Sequence, residues 1–106
     1  MTDDIRGRGP WRDDVSLSER ERALALRHGL DAALASIDRG VRAAEAVAQA
    51  GRDTMSHAGV EPEYFAVVDA ASLAPLERIS GDVLIAVAAR VGPVRLIDNE
   101  VVRVSP

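Results

Sequence analysis

The chain contains no cysteine and no lysine; all 13 of its basic residues are arginine. Without Cys there is no disulfide, no thiolate metal site and no cysteine nucleophile. Without Lys there is no Schiff-base chemistry and no lysine-type phosphate loop. Aromatic residues are equally scarce, with Trp11, Tyr64 and Phe65 the complete set, so a core has to come from Ala, Val, Leu and Ile. No apolar run is long enough to span a membrane, and the opening residues are acidic and polar rather than signal-like, so no membrane partner and a cytoplasmic location are expected. A net charge of −4 argues against a nucleic-acid partner, because binding a phosphate backbone needs a basic face. What is present suits one domain: 106 residues, 47% hydrophobic and 28% charged.

Residues 1–15 mix charges around Gly7, Gly9 and Pro10 with no hydrophobic period, and are expected to form a mobile arm ahead of a domain over 16–106. Order is predicted from Ser18, where Ser18-Glu19-Arg20-Glu21 has the form of a capping box. A first helix then places Ala23, Leu26, Leu30, Ala33, Leu34 and Ile37 on one face, and Gly40 ends it. A second helix over 41–57 buries Val41, Ala44, Ala48, Gly51 and Met55, small side chains that imply close helix contact; Gly59 supplies its stop. Tyr64 to Val68 reads as a strand, followed by a turn that Asp69 caps through Leu73 and Pro75 ends. Val83 to Val91 reads as a second strand and Gly92-Pro93 as a two-residue hairpin turn. Val94 to Val104 returns, with a break expected at Asp98-Asn99-Glu100. The predicted fold is α+β: two amphipathic helices on a small antiparallel sheet of about three strands.

Pairing Val91 with Val94 fixes the hairpin register. One face then carries Leu84, Ala86, Ala88 and Arg90 opposite Arg95, Ile97 and Asn99. The other carries Val83, Ile85, Val87 and Ala89 opposite Leu96 and Asp98. A small antiparallel sheet ordinarily turns one face to water, yet Val83 to Ala89 is apolar on both. A second subunit, making a homo-oligomer such as a dimer, or a larger partner domain is expected to cover the second face.

From Ser16 onward the chain resembles the C-terminal domain of the pantothenate synthetase (pantoate–β-alanine ligase) family. The carrying residues are Leu17-Ser18-Glu19-Arg20-Glu21-Arg22, Tyr64-Phe65-Ala66-Val67-Val68-Asp69 and Leu73-Ala74-Pro75-Leu76. A fourth block, the most specific, is Leu84-Ile85-Ala86-Val87-Ala88-Ala89-Arg90-Val91-Gly92 leading into Arg95-Leu96-Ile97-Asp98-Asn99. The resemblance implies that adenylate chemistry belongs to a separate N-terminal nucleotide-binding domain with a His-x-Gly-His motif, which these residues lack; His28-Gly29 is an isolated pair on a helix. It also implies a Ser-Ser-Arg-Asn loop that closes over ATP just before Leu17. Here that stretch reads Pro10-Trp11-Arg12-Asp13-Asp14-Val15, so only Arg12, shifted by one residue, offers the motif's cation, and two acids stand where triphosphate would lie.

Six residues are candidate ligand contacts: Trp11, Arg12, Arg90, Arg95, Asp98 and Asn99. Arg90 and Arg95 are predicted to stand opposite each other, where two guanidinium forks can grip a carboxylate or phosphate. The alternative is neutralisation by Glu61 or Glu63 in a purely structural pair. Asp98-Asn99 fits either a general base with a hydrogen-bonding neighbour or, the reading preferred, a turn or bulge. Trp11 fits a ligand lid, a packing anchor or an unpaired tail residue. Tyr64, Phe65 and Met55 are assigned to the core, and His28 and His57 to structural rather than catalytic positions. No catalytic residue, metal or cofactor is assigned. With its own Met1, the chain is expected to be a stand-alone homo-oligomer that binds a small organic molecule, a repurposed domain working as a cofactor-free biosynthetic enzyme of cyclase or isomerase type. The alternative is a ligand-closing or scaffold subunit for a separate nucleotide-binding subunit. Pantoate ligation by this chain alone is excluded on this reading.

Overall fold

The computed structural model describes residues 19–91 and 93–105. Two helices, α1 (Glu19–Asp38) and α2 (Ala44–His57), precede three strands, β1 (Tyr64–Asp69), β2 (Gly81–Val91) and β3 (Val94–Val104). The strands form one antiparallel sheet in the order β1-β2-β3. Ser18, the expected cap of α1, lies outside the described residues, as does the arm over residues 1–15.

Both helices end the same way, and a glycine at positive φ decides each ending. After α1, Gly40 (φ 98°) donates to Ile37 O and Val41 to Ser36 O; after α2, Gly59 (φ 84°) donates to Ser56 O and Val60 to Met55 O. These paired bonds satisfy carbonyls that the helix leaves open, and glycine takes the left-handed conformation without a Cβ clash. The buried Val60 and Met55 complete the second closure with an apolar contact. At its start α2 has no side-chain cap on Ala43. Instead the segment before β2 supplies the bonds: Ala44 N–H donates to Glu77 O, and Ile79 N–H donates to Arg42 O. Helix α2 therefore begins at Ala44, three residues later than its pattern predicts, because that tie holds residues 42–43 extended.

The core lies between the helices and one sheet face. Leu26, Leu30, Val47, Met55, Ile79, Val83, Ile85 and Val87 are fully buried there. Two details of the predicted stripes differ. Ala23 is exposed, two residues before α1 reaches the core at Ala25, and on α2 Val47 is fully buried while Ala48 is half-buried. Close contact of α1 and α2 depends on glycine: a Cβ on Gly29 would stand 2.7 Å from Met55 Cγ and 3.2 Å from Gly51 O.

The hairpin register is Val91↔Val94, with Arg90↔Arg95, Ala86↔Asn99 and Gly81↔Val104. Pairing continues without a gap through Asp98, Asn99 and Glu100, so the predicted break and the predicted turn or bulge are both absent. The reason is a cation that the strand pattern does not show. Asp98 and Glu100 point toward α1, where Arg27 lies 3.9 Å from Asp98 and 3.1 Å from Glu100. An acidic strand residue facing a helix is tolerated once it is paired there. After β1, Asp69 Oδ2 accepts from Ala71 N, Ser72 N and Ser72 Oγ, which builds the expected cap and turn. No described helix is long and apolar enough to cross a membrane.

Candidate functional site

The face of the sheet away from the helices follows from alternation along the three strands. It carries Tyr64, Ala66 and Val68 on β1, Asp82, Leu84, Ala86, Ala88 and Arg90 on β2, and Arg95, Ile97, Asn99, Val101 and Arg103 on β3. Tyr64, assigned to the core from its apolar neighbourhood, stands here instead and is 36% exposed, while Phe65, one residue on, points inward and is buried.

At the hairpin end of this face Arg90 and Arg95 stand as cross-strand partners, as the register predicts, and Glu63 lies between them. Its Oε1 accepts from Arg95 Nε at 2.8 Å and its Oε2 from Arg90 Nε at 3.4 Å. Of the two acids considered, Glu63 takes the role; Glu61 instead accepts from Ser56 Oγ at 2.8 Å. The Arg95 guanidinium also lies over the Tyr64 ring, 5.7 Å from its centre. Arg95 above all, with Arg90 adding to it, holds the Glu63 carboxyl below the usual carboxylate range. One carboxylate between two cations leaves an excess positive charge at this end.

Asp98 and Asn99 are adjacent in sequence and opposite in direction. Asp98 faces α1, within a cluster in which Arg27 also meets Asp31 at 3.0 Å and Glu100 at 3.1 Å. Its Oδ1 accepts the Asn99 backbone N–H at 2.8 Å. That N–H points to the free side of the edge strand, so the carboxylate covers a donor that would otherwise be open to pairing. Asn99 carries its amide on the outer face, so the two side chains do not converge on one point. Trp11 and Arg12 lie outside the described residues.

A second feature was not signalled by any motif. An open groove of about 140 Å³ runs between α2 and the edge strand β1, with Glu45, Gln49 and Arg52 above and Phe65, Val67 and Leu76 below. Arg52 donates to the backbone carbonyl of Phe65 at 3.3 Å, which ties the helix to the strand edge. Its only sequence signal is the polar ridge Glu45, Gln49, Arg52 on α2, which reads equally well as a solvated face. His28 is exposed on α1, and His57, in the last turn of α2, has its Nδ1 2.7 Å from Asp53 O. Among the described residues no group of three His, Asp or Glu side chains gathers as a metal site.

With this geometry established, three comparisons with known proteins converge. A family model described as pantoate-beta-alanine ligase matches residues 13–101. The chain is 43% identical over 86 residues to a pantothenate synthetase of Geobacillus thermodenitrificans, covering 80% of this chain and 30% of the relative. It is 44% identical over 88 residues to a bifunctional pantoate ligase/cytidylate kinase of Gloeobacter violaceus, covering 82% of this chain and 17% of that protein. The crystal structure of pantothenate synthetase from Thermus thermophilus aligns with a TM-score of 0.71 at 28% identity, over 85% of this chain and 33% of that one. The chain thus spans about a third or less of the length of these relatives. Trp11 and Arg12 fall before the start of the family match.

Proposed function

This chain belongs to the pantoate-beta-alanine ligase family, and from that premise we propose that it acts as a carboxy-terminal ligase domain, completing a nucleotide-binding part of the family rather than catalysing alone. The observation that supports this most directly is how its charged candidates are engaged. Arg90 and Arg95 are joined by Glu63, and Asp98 by Arg27 and its own neighbour's N–H, so each serves the domain's own shape. Such a domain assists chemistry by closing over a site held elsewhere, excluding water and fixing the bound geometry. The test combines the purified chain with the nucleotide-binding part of the Geobacillus thermodenitrificans relative and follows ATP-dependent joining of pantoate and β-alanine. A rate well above that of the nucleotide-binding part alone is expected, with none from this chain alone. Turnover by the chain alone, or no change on mixing, overturns the proposal.

A second reading rests on Trp11, which precedes the family match together with Arg12. In this reading the chain binds a small organic acid by itself, with Trp11 as the lid. Trp11 is the sole tryptophan, so its fluorescence reports on the arm directly. A blue shift on adding pantoate or pantothenate supports this reading, and an unchanged water-like emission refutes it.

A further inference from the structure

We propose that the hairpin end of the sheet is an anion site, in which the terminal Nη groups of Arg90 and Arg95 grip a phosphoryl group, that of a small phosphate monoester. This is independent of the ligase reading and rests on what the Glu63 bridge leaves unused. Glu63 meets each guanidinium through Nε alone, Arg95 at 2.8 Å and Arg90 at 3.4 Å. The other nitrogens of a guanidinium are donors too, and among the described residues no acceptor takes the Nη groups of either arginine.

Other arginines of the domain are spent differently. Arg42 gives Nε and Nη1 to the carbonyls of Ser105, Ile37 and Val41, and Arg27 meets three carboxylates, Asp31, Asp98 and Glu100. Arg103 is matched with Asp82 alone. At the hairpin end the balance is reversed, with two cations on one carboxylate. The two forks are also held in place: the shared carboxylate ties them to each other across the strands, and the Tyr64 ring lies beside the Arg95 guanidinium at 5.7 Å. Groups ordered before a ligand arrives lower the ordering cost that binding otherwise carries.

The geometry favours phosphate over a further carboxylate. A planar carboxylate matches one fork, whereas a tetrahedral phosphoryl group can span two forks whose Cα atoms stand about 5 Å apart on neighbouring strands. A dianion is also drawn to the excess charge about twice as strongly as a monoanion at the same distance. Next to the clamp, Tyr64, Ala88 and Ile97 lie level across the sheet. Tyr64 and Ile97 flank Ala88, which is fully buried, and their remaining exposure of 36% and 57% makes an apolar shelf for the body of a monoester. The arginine side chains are 57% and 45% exposed, so water weakens the contacts and a Kd of about 1–10 mM is expected.

Phenylglyoxal, which modifies free guanidinium groups, tests the site on the unaltered chain, with the modified arginines located by mass spectrometry. Phenyl phosphate at about 20 mM is expected to slow modification of Arg90 and Arg95 at least about threefold relative to acetate at equal ionic strength. Arg103, whose side chain is 80% exposed on the same sheet face, is expected to be unaffected. Inorganic phosphate separates the two sources of a phosphoryl group: protection weaker than that of phenyl phosphate is expected and gives the shelf its part, while equal protection assigns the clamp to the free ion. A second measurement follows Tm, which phenyl phosphate should raise in wild type and in Arg103→Gln, and raise by less than half as much in Arg90→Gln and in Arg95→Gln. No protection at Arg90 and Arg95, equal protection by acetate, equal protection of Arg103, or an undiminished Tm rise in both clamp variants overturns the proposal.

Discussion

Replacing Gly51 with alanine sets two effects of opposite sign against each other. In an open helix interior the change favours folding by about 1 kcal/mol, since alanine restricts the unfolded chain and glycine does not. Within α2 the added Cβ falls onto the Phe65 ring, with Cε1 at 2.8 Å and Cζ and Cε2 nearer still. Phe65 is only 3% exposed, so the ring can yield only by displacing the side chains packed around it or by turning toward the groove it borders. Either the helix lifts from the sheet or the ring leaves its rotamer, and such overpacking costs about 1–3 kcal/mol, with more where backbone must move. The closeness of that approach puts the cost in the upper part of this range, about 2–3 kcal/mol, and less the gain of about 1 kcal/mol it leaves a net loss of about 1–2 kcal/mol, which for a domain of this size lowers Tm by about 5–15 °C. Thermal and urea unfolding followed by circular dichroism measure it, with the urea slope unchanged. Gly29→Ala provides the contrast: its Cβ meets the flexible Met55 side chain at 2.7 and 3.0 Å, so a smaller drop is expected. In a Phe65→Leu background the Gly51→Ala penalty should shrink, because the clashing ring is gone. A Tm for Gly51→Ala equal to or above wild type refutes the reasoning.

Glu63 is held below the usual carboxylate range in the folded state, so its contribution is present above the unfolded pKa and is lost as pH falls through the folded one. The Tm gap between wild type and Glu63→Gln should therefore be widest near neutrality and narrow toward about pH 3; a constant gap counts against the Arg90–Glu63–Arg95 bridge. Arg27→Ala removes contacts to Asp31 and Glu100 and leaves three carboxylates facing one another, but these groups are 37–58% exposed. A loss of only about 0.5–1 kcal/mol is expected in urea unfolding at low ionic strength, less in high salt, and a salt-independent loss would point to packing instead. Leu73 takes a φ of 63° while 61% exposed, so it bears left-handed strain without a compensating burial. Leu73→Gly should raise stability by about 0.5 kcal/mol, the relief of about 1 kcal/mol being partly offset by the freer unfolded chain; a lower Tm would show that this side chain has a contact that matters.

Features that depend on neighbours in sequence were legible from it. Glycine endings at Gly40 and Gly59, the Asp69 turn and the Val91–Val94 register are all local: a positive φ, a side chain reaching two or three residues on, and a two-residue turn that fixes which faces alternate. What sequence reasoning missed is fixed by contacts distant along the chain. The start of α2 is set by Glu77 and Ile79, more than 30 residues on. The unbroken course of β3 through two acids is set by Arg27, 73 residues before Glu100. Periodicity identifies a face that must be buried; it does not name the partner that makes a charged position acceptable.

The same distinction governs the candidate site. Register alone places Arg90 against Arg95, but whether that pair awaits a ligand depends on a third residue, Glu63, just before a different strand. Once that carboxylate is seen, the pair becomes one end of a longer pattern with Asp82 and Arg103 at the other. Between them the chain places alanine, valine, leucine and isoleucine where a sheet facing water would carry polar side chains. Hydrophobic residues at Ile97 and Val101 add nothing to the helix-facing core, since alternation turns them away from it. On that outer face they shelter their own neighbours instead: Ala88, which stands between Tyr64 and Ile97 in the register, is fully buried although it points away from the helices.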